Sequence, residues 1–186
     1  QLQLLDDEER YRINVFDWNA EFPEIVKSGG FDAVIGNPPY LFITEQDETE
    51  KRYFEGAYRT YSYRYDVYGL FIERAFTNFL RGSGCLGFII PHTLLNNDSF
   101  ELLRKFLLHK TSLESIIDLG PGVFQGARYE TMLLFAKNIP ETNNHHCFVA
   151  KSNKDLVGLD SGRSIPQRSF LDLPKAAFLV TTNPAS

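Results

Sequence analysis

The stretch Phe31-Asp32-Ala33-Val34-Ile35-Gly36-Asn37-Pro38-Pro39-Tyr40 decides the fold of this chain. Its first half is a short apolar run with β-branched Val34 and Ile35, opened by Gly29-Gly30, which predicts a buried strand over residues 31–35. Its second half cannot continue that strand. Pro38 and Pro39 have no backbone N–H, and Pro38 pushes Asn37 towards an extended conformation. A rigid polar loop is therefore expected at the carboxyl end of a buried strand, which is where open α/β sheets bind ligands. Asn37 offers amide acceptor and donor groups. The prolines hold their carbonyls in set directions, and Tyr40 adds an aromatic face and a hydroxyl. This set suits a planar ring bearing an exocyclic amine. The plainer alternative is a loop in which prolines merely stop a strand.

Working outward, residues 11–18 alternate apolar and polar side chains, with Ile13, Val15 and Phe16 as core candidates, and predict a strand ending at Asp17. Residues 21–28 predict a short helix closed by Gly29-Gly30. Residues 68–81 predict a helix that is apolar on one side through Leu70, Phe71, Phe76, Phe79 and Leu80, with Gly82 placed to end it. A second buried strand over 85–90 is stopped by Pro91. Asp98 with Glu101 has the form of a capping box for a helix reaching about His109. Further strands are expected over 113–119 and 131–136, with a glycine-bearing loop between them. Strands alternating with helices imply a parallel α/β sheet with right-handed crossovers. The last two strands have no helix between them and should be antiparallel.

The chain has 186 residues, of which 43% are hydrophobic and 14% aromatic, enough for one globular domain with a real core. Its net charge of −5 does not advertise nucleic-acid binding, so any phosphate contacts must come from local basic patches or regions outside it. Cys85 and Cys147 imply no disulfide framework and fit a reducing cytoplasm. No apolar run has membrane-spanning length and no signal peptide is evident. The chain opens on Gln1, and its lone methionine is Met132, as expected of a piece of something longer. Residues 51–68 mix Tyr53, Tyr58, Tyr61, Tyr63, Tyr65 and Tyr68 with Lys51, Arg52, Arg59 and Arg64. This mixture serves either stacking and phosphate contact or coverage of the core edge. Gly82-Ser83-Gly84 follows a helix and precedes a strand, the reverse of a nucleotide-binding glycine loop. In His145-His146-Cys147 adjacent side chains point apart, so it reads as linker rather than metal site. Residues 151–186 show no clear period.

The Asn37-Pro38-Pro39-Tyr40 stretch resembles motif IV of the gamma-class adenine-N6 DNA methyltransferases, which use S-adenosylmethionine. The resemblance extends over roughly residues 13–137. Val15-Phe16-Asp17-Trp18 is similar to motif III and Tyr68-Gly69-Leu70-Phe71-Ile72-Glu73-Arg74-Ala75 to motif V. Gly87-Phe88-Ile89-Ile90-Pro91 is similar to motif VI and residues 100–107 to motif VII. Gly122-Val123-Phe124-Gln125-Gly126-Ala127-Arg128-Tyr129-Glu130-Thr131 looks like motif VIII. The resemblance implies the C-terminal half of a Rossmann-like methyltransferase sheet over residues 1–138. Residues 139–186 would then be a linker and the start of a target-recognition region. It implies that Asn37, Pro38, Pro39 and Tyr40 are catalytic, and that Tyr40 and Phe124 hold a flipped adenine. Asp17, Trp18, Pro39 and Phe71 would hold the cofactor. Motif I and the acid that binds the cofactor ribose are missing, so this chain alone should have an incomplete cofactor site. Glu21-Phe22-Pro23 leading into Gly29-Gly30-Phe31-Asp32 looks most like large restriction-modification methylases with a fused or associated nuclease. The implied partners are double-stranded DNA, the N-terminal half and target-recognition domain of the same protein, and a nuclease domain or subunit. Two rival readings stay open. The same loop occurs in methyltransferases acting on protein glutamine or RNA, and a methylase-like segment can bind DNA without catalysis. On their own residues, Asp17 could cap the following helix and Phe71 could be core.

Overall fold

The computed structural model describes residues 16–43, 48–62, 65–124, 129–142, 144–153, 155–157 and 159–180. The strand expected over 11–18 lies outside them except at its end. From there the chain is helical. Trp18–Glu21 (α1) and Pro23–Lys27 (α2) are short turns separated at Phe22, because Pro23 cannot donate into a continuing helix. Gly30 then turns the chain at φ +123°, a conformation that favours glycine, and a Cβ there would collide with the Phe79 carbonyl.

Phe31–Gly36 forms β1, as the sequence predicts, and the loop follows. Phe42–Ile43 (β2) pairs antiparallel with Tyr65–Asp66 (β3). Between them, in the stretch that reads as a polar passage, lies the helix Glu48–Ala57 (α3). Val67–Arg74 (α4) is helical as expected, then widens to a π turn over Ala75–Phe79 and ends at Leu80 rather than at Gly82. The strand Leu80–Pro91 (β4) therefore starts earlier than expected, and Gly82 and Ser83 belong to it. Ser83 there has φ 69°. Its N–H donates to the Asn138 carbonyl, and Asn138 N–H returns a bond to Gly84.

The helix Glu101–Lys110 (α5) is preceded by a 3₁₀ turn over Asp98–Phe100. The side-chain cap of that turn is Asn97, one residue before the expected Asp98. The Asn97 side chain accepts from Ser99 N–H at 2.9 Å, whereas Asp98 pairs with Lys175 and Glu101 with Lys105, so the expected capping box is not formed.

Ser112–Gly120 (β5), Thr131–Lys137 (β6), His146–Lys151 (β7) and Arg163–Pro166 (β8) complete a six-stranded sheet of order β1-β4-β6-β5-β7-β8. β1 pairs parallel with β4, and β5 with β7. β6 runs antiparallel to both its neighbours, β4 and β5, as expected of the last two predicted strands. It lies inside this sheet rather than near its edge, because β7 and β8 extend the sheet beyond β5. Residues 146–180 thus continue the same sheet and core. Phe170, Phe178 and Val180 are buried with Leu103, Leu107 and Leu113 in one cluster. Gln167 is fully buried, and its amide accepts from Leu113 N–H at 2.7 Å and donates to the carbonyls of Leu108 and Thr111. The Arg104 guanidinium is likewise buried and donates to the carbonyls of Leu94, Asn97 and Lys175. These bonds satisfy polar groups that would be costly to bury alone.

Candidate active site

The loop Gly36-Asn37-Pro38-Pro39-Tyr40 leaves β1 at its carboxyl end, as the prolines require. β1 itself is less buried than the apolar run suggests. It is the edge strand, with β4 on one side, and Ile35 is 84% exposed. The loop is fixed from other directions. Pro38 is buried. The Tyr40 hydroxyl donates to the Ile89 carbonyl of β4 at 3.1 Å, and burial pushes it up to about 12. Just beyond, Val67 N–H at the start of α4 donates to the Leu41 carbonyl at 2.9 Å. The loop is therefore held between β4 and the start of α4.

A cleft of about 680 Å³ opens beside this loop. It gathers Trp18, Asn37, Pro38, Pro39 and Phe71 of the expected site residues, which come from α1, the loop and α4. Phe71 is 47% exposed and lines the cleft, although Tyr68 and Ile72 of the same helix are buried, so it is not a core residue of this chain. Trp18 packs against Phe31 at 5.8 Å and Phe79 at 4.7 Å between ring centres. Residues outside the expected cofactor set complete the walls: Phe54 of α3, Tyr58 just after it, and Arg74 at the end of α4. Arg74 lies in the quoted stretch 68–75, and the signal for Phe54 and Tyr58 was the aromatic and basic stretch 51–68. That stretch mostly covers the core, since Tyr65 and Tyr68 are fully buried and Tyr61 packs on Phe54 and Tyr65. Tyr63 and Arg64 lie outside the described residues.

Other expected site residues fall outside this cleft's lining. Asp17 is the cap of α1, with Oδ1 accepting from Asn19 N–H at 3.0 Å and Ala20 N–H at 3.4 Å. Tyr40 turns its ring to the other side of the loop, where the Tyr129 ring meets it edge-on at 6.1 Å. Beside them His92 Nδ1 and Glu130 Oε2 are 3.1 Å apart. Phe124 is 37% exposed in the loop after β5, and residues 125–128 lie outside the described part. Tyr129 is thus the described aromatic that approaches Tyr40, and it belongs to the same glycine-bearing stretch.

The lining of the cleft is chemically sparse. Among the described residues that form it, Arg74 is the charged one, and it has no carboxylate, histidine, lysine or thiol. Such a wall supplies flat apolar faces and directed carbonyl and amide groups, not a general base. It suits a reaction that depends on orientation and on acceptors aimed at developing charge. No group of three or more His, Cys, Asp or Glu able to hold a metal occurs among the described residues. His145 and His146 bond separately to the carbonyls of Leu113 and Asn144, and Cys147 is buried with its thiol pushed up to about 12.

A mixed α/β sheet with β6 reversed between β4 and β5, and a proline-locked loop at the end of β1, is the fold of a methyltransferase. Comparison with known proteins refines this. The model of the Eco57I restriction-modification methylase family matches residues 1–124, and the chain belongs to that family. A type II restriction enzyme and methyltransferase of Escherichia coli is 31% identical over 157 residues, covering 80% of this chain and 14% of that enzyme. The chain therefore spans only a small part of that relative. Among solved structures, the type IIG restriction endonuclease BpuSI superposes with a TM-score of 0.59 at 16% identity, over 78% of this chain and 20% of that one. A type I restriction-modification methyltransferase subunit from Streptococcus thermophilus gives a TM-score of 0.53 at 17% identity, over 73% and 28%. Methylases of this family use S-adenosylmethionine.

Proposed function

We propose that this chain carries the catalytic loop of a methyltransferase that transfers a methyl group from S-adenosylmethionine to the N6 amine of adenine in DNA, within a restriction-modification system. The observation that carries this reading is the rigid Asn37-Pro38-Pro39 loop opening into a cleft whose described lining holds no carboxylate, histidine, lysine or thiol. The adenine amine is a poor nucleophile because its lone pair is delocalised into the ring. The Asn37 side-chain oxygen and the Pro38 carbonyl accept its hydrogens and draw the nitrogen towards tetrahedral geometry, with its lone pair free for attack. The cofactor, when bound, supplies an activated methyl that needs no further acid catalysis. Phe71, Trp18 and Pro39 form the apolar walls that suit its flat purine, and Asp17 stands beside Trp18 at the start of α1. The residues present fit that end of the cofactor, since the described residues leave a wide apolar cleft with an exposed Phe71 ring.

A base paired in a duplex cannot present its amine to the loop, so the target must be extruded. Tyr40, Phe124 and Tyr129 are the aromatic side chains available to receive it. Double-stranded DNA, the remainder of the longer protein, a target-recognition region and a nuclease domain or subunit are the partners in this reading.

The test is Asn37→Ala in the full-length protein, assayed on duplex DNA and on peptide and RNA acceptors. Methylation of adenine in DNA should fall by roughly a hundredfold or more at unchanged cofactor affinity. Near-normal turnover in the variant would sink the assigned role, and transfer to peptide or RNA alone would replace the substrate.

A further inference from the structure

The wall of the cleft supplied by residues 54–58 is anchored in an unusual way. Tyr58 is half-buried and lines the cleft with Phe54. It follows α3 directly, and its N–H closes that helix on the Phe54 carbonyl at 2.9 Å. The next residues are tied down by Glu73 of α4, which is only 3% exposed. Glu73 Oε1 accepts from Arg59 N–H at 2.8 Å, and Oε2 accepts from Thr60 N–H at 2.9 Å and Thr60 Oγ1 at 2.6 Å. The single Thr60 hydroxyl proton is used on the carboxylate, so the Tyr65 hydroxyl, 2.9 Å away, donates to Thr60 Oγ1. A carboxylate buried among apolar side chains is thus matched by donors from one short segment.

The neighbouring residue acts on the same segment from the cleft side. The Arg74 guanidinium carbon lies 5.3 Å over the Tyr58 ring. Glu73 and Arg74 are consecutive, so one turn of α4 holds the backbone just after Tyr58 and stacks a cation on Tyr58 itself. Phe71, on the preceding turn of α4, lines the same cleft. This arrangement leaves the Tyr58 ring half-exposed instead of sinking it into the core, as happens to Tyr65 and Tyr68.

We propose that Tyr58 is a cofactor-binding residue, a second aromatic wall beside Phe71 for the purine of S-adenosylmethionine, and that Glu73 is the positioning residue that sets it there. The proposal rests on the cleft being the cofactor site. Glu73 touches no ligand and acts through the Arg59–Thr60 backbone. Replacing it with glutamine exchanges an acceptor for a donor, so one of the converging N–H or O–H groups is left facing an N–H.

The experiment uses the full-length protein with S-adenosylhomocysteine as probe, in titration calorimetry, and steady-state methylation at varied S-adenosylmethionine. Tyr58→Ala should raise the dissociation constant on the order of tenfold, and Tyr58→Phe, which keeps the ring, should restore binding. Glu73→Gln should raise KM for the cofactor severalfold and leave kcat nearly unchanged. Tyr53→Ala, on α3 but outside the cleft, should bind as the parent does. Weakened binding in Phe71→Ala with parent-like binding in Tyr58→Ala would overturn the inference and leave the cofactor site standing. Parent-like binding in both would remove the cofactor from the cleft altogether. Equal weakening in Tyr53→Ala and Tyr58→Ala, tracking a common loss of melting temperature, would reduce the segment to a structural role and also overturn the inference.

Discussion

The strands on either side of β4 are held in opposite ways. Towards β6, β4 pairs along its length from Cys85 to Pro91, and Leu86, Phe88, Ile90, Met132, Leu134 and Ala136 are all buried. Towards β1 the pairing is shifted between Phe31 and Ala33, Ala33 is exposed, and Ile35 is 84% exposed. Yet the Asn37-Pro38-Pro39-Tyr40 loop hangs from β1. The rigidity of the site is therefore not inherited from the core. It comes from the consecutive prolines and from two hydrogen bonds to elements other than β1, Tyr40 to Ile89 of β4 and Val67 of α4 to Leu41. Core burial and the candidate-site loop lie on different sides of one strand.

This contrast can be broken most forcefully at Phe88. Phe88→Ala removes a ring that is 5% exposed and should cost about 3–5 kcal/mol in chemical denaturation. A loss below about 1 kcal/mol would mean that β4 is not the spine of the core. Tyr40→Phe deletes one hydrogen bond and should cost about 0.5–1.5 kcal/mol. Its pH dependence sharpens the assignment. Burial raises the Tyr40 hydroxyl above the ordinary value of 10 to about 12, so the folded state keeps its proton longer than the unfolded one. The stability from this group is complete below pH 10 and is lost as pH rises towards 12. The difference between Tyr40→Phe and the parent should shrink over that window, and a constant difference from pH 9 to about 12 would disprove the link. Ile35→Ala should be the mildest change, within about 0.5 kcal/mol in the 186-residue chain. Repeating it in the full-length protein measures whether β1 gains a cover there: a cost above about 1.5 kcal/mol would show that it does.

The residues that announce themselves in the sequence are those whose chemistry is local. Pro38 and Pro39 stop a strand wherever they stand, and the apolar runs of β4, β5 and β6 bury themselves as their composition requires. The misread positions depend on distant partners. Ile35 has the side chain of a buried strand, but its exposure is set by which strand lies beside it. Gln167 lies in a stretch with no clear period, yet its amide fills the gap between the end of α5 and the start of β5. Asp98 looks like a helix cap, but Lys175, far along the chain, engages it while Asn97 takes the role. Glu73 belongs to a stretch that reads as an amphipathic helix, and nothing in that stretch reveals that Thr60 will meet it. The cleft itself was half legible: Trp18, the Asn37 loop and Phe71 come from quoted motifs, whereas Phe54 and Tyr58 come from a segment whose composition fits a wall and a nucleic-acid surface equally.

The position of β6 has a consequence for anyone exchanging parts between members of this family. The family model ends at residue 124, inside the loop that joins β5 to β6. A junction placed there would import the strand clamped between β4 and β5 from a foreign sequence. A junction at 138 would spare β6 but discard Phe170 and Phe178, and would strand Arg104 without the Lys175 carbonyl that receives it. Chimeras meant to move specificity from one enzyme to another should therefore keep residues 31–180 together, because the edge of the family match falls inside one packed sheet.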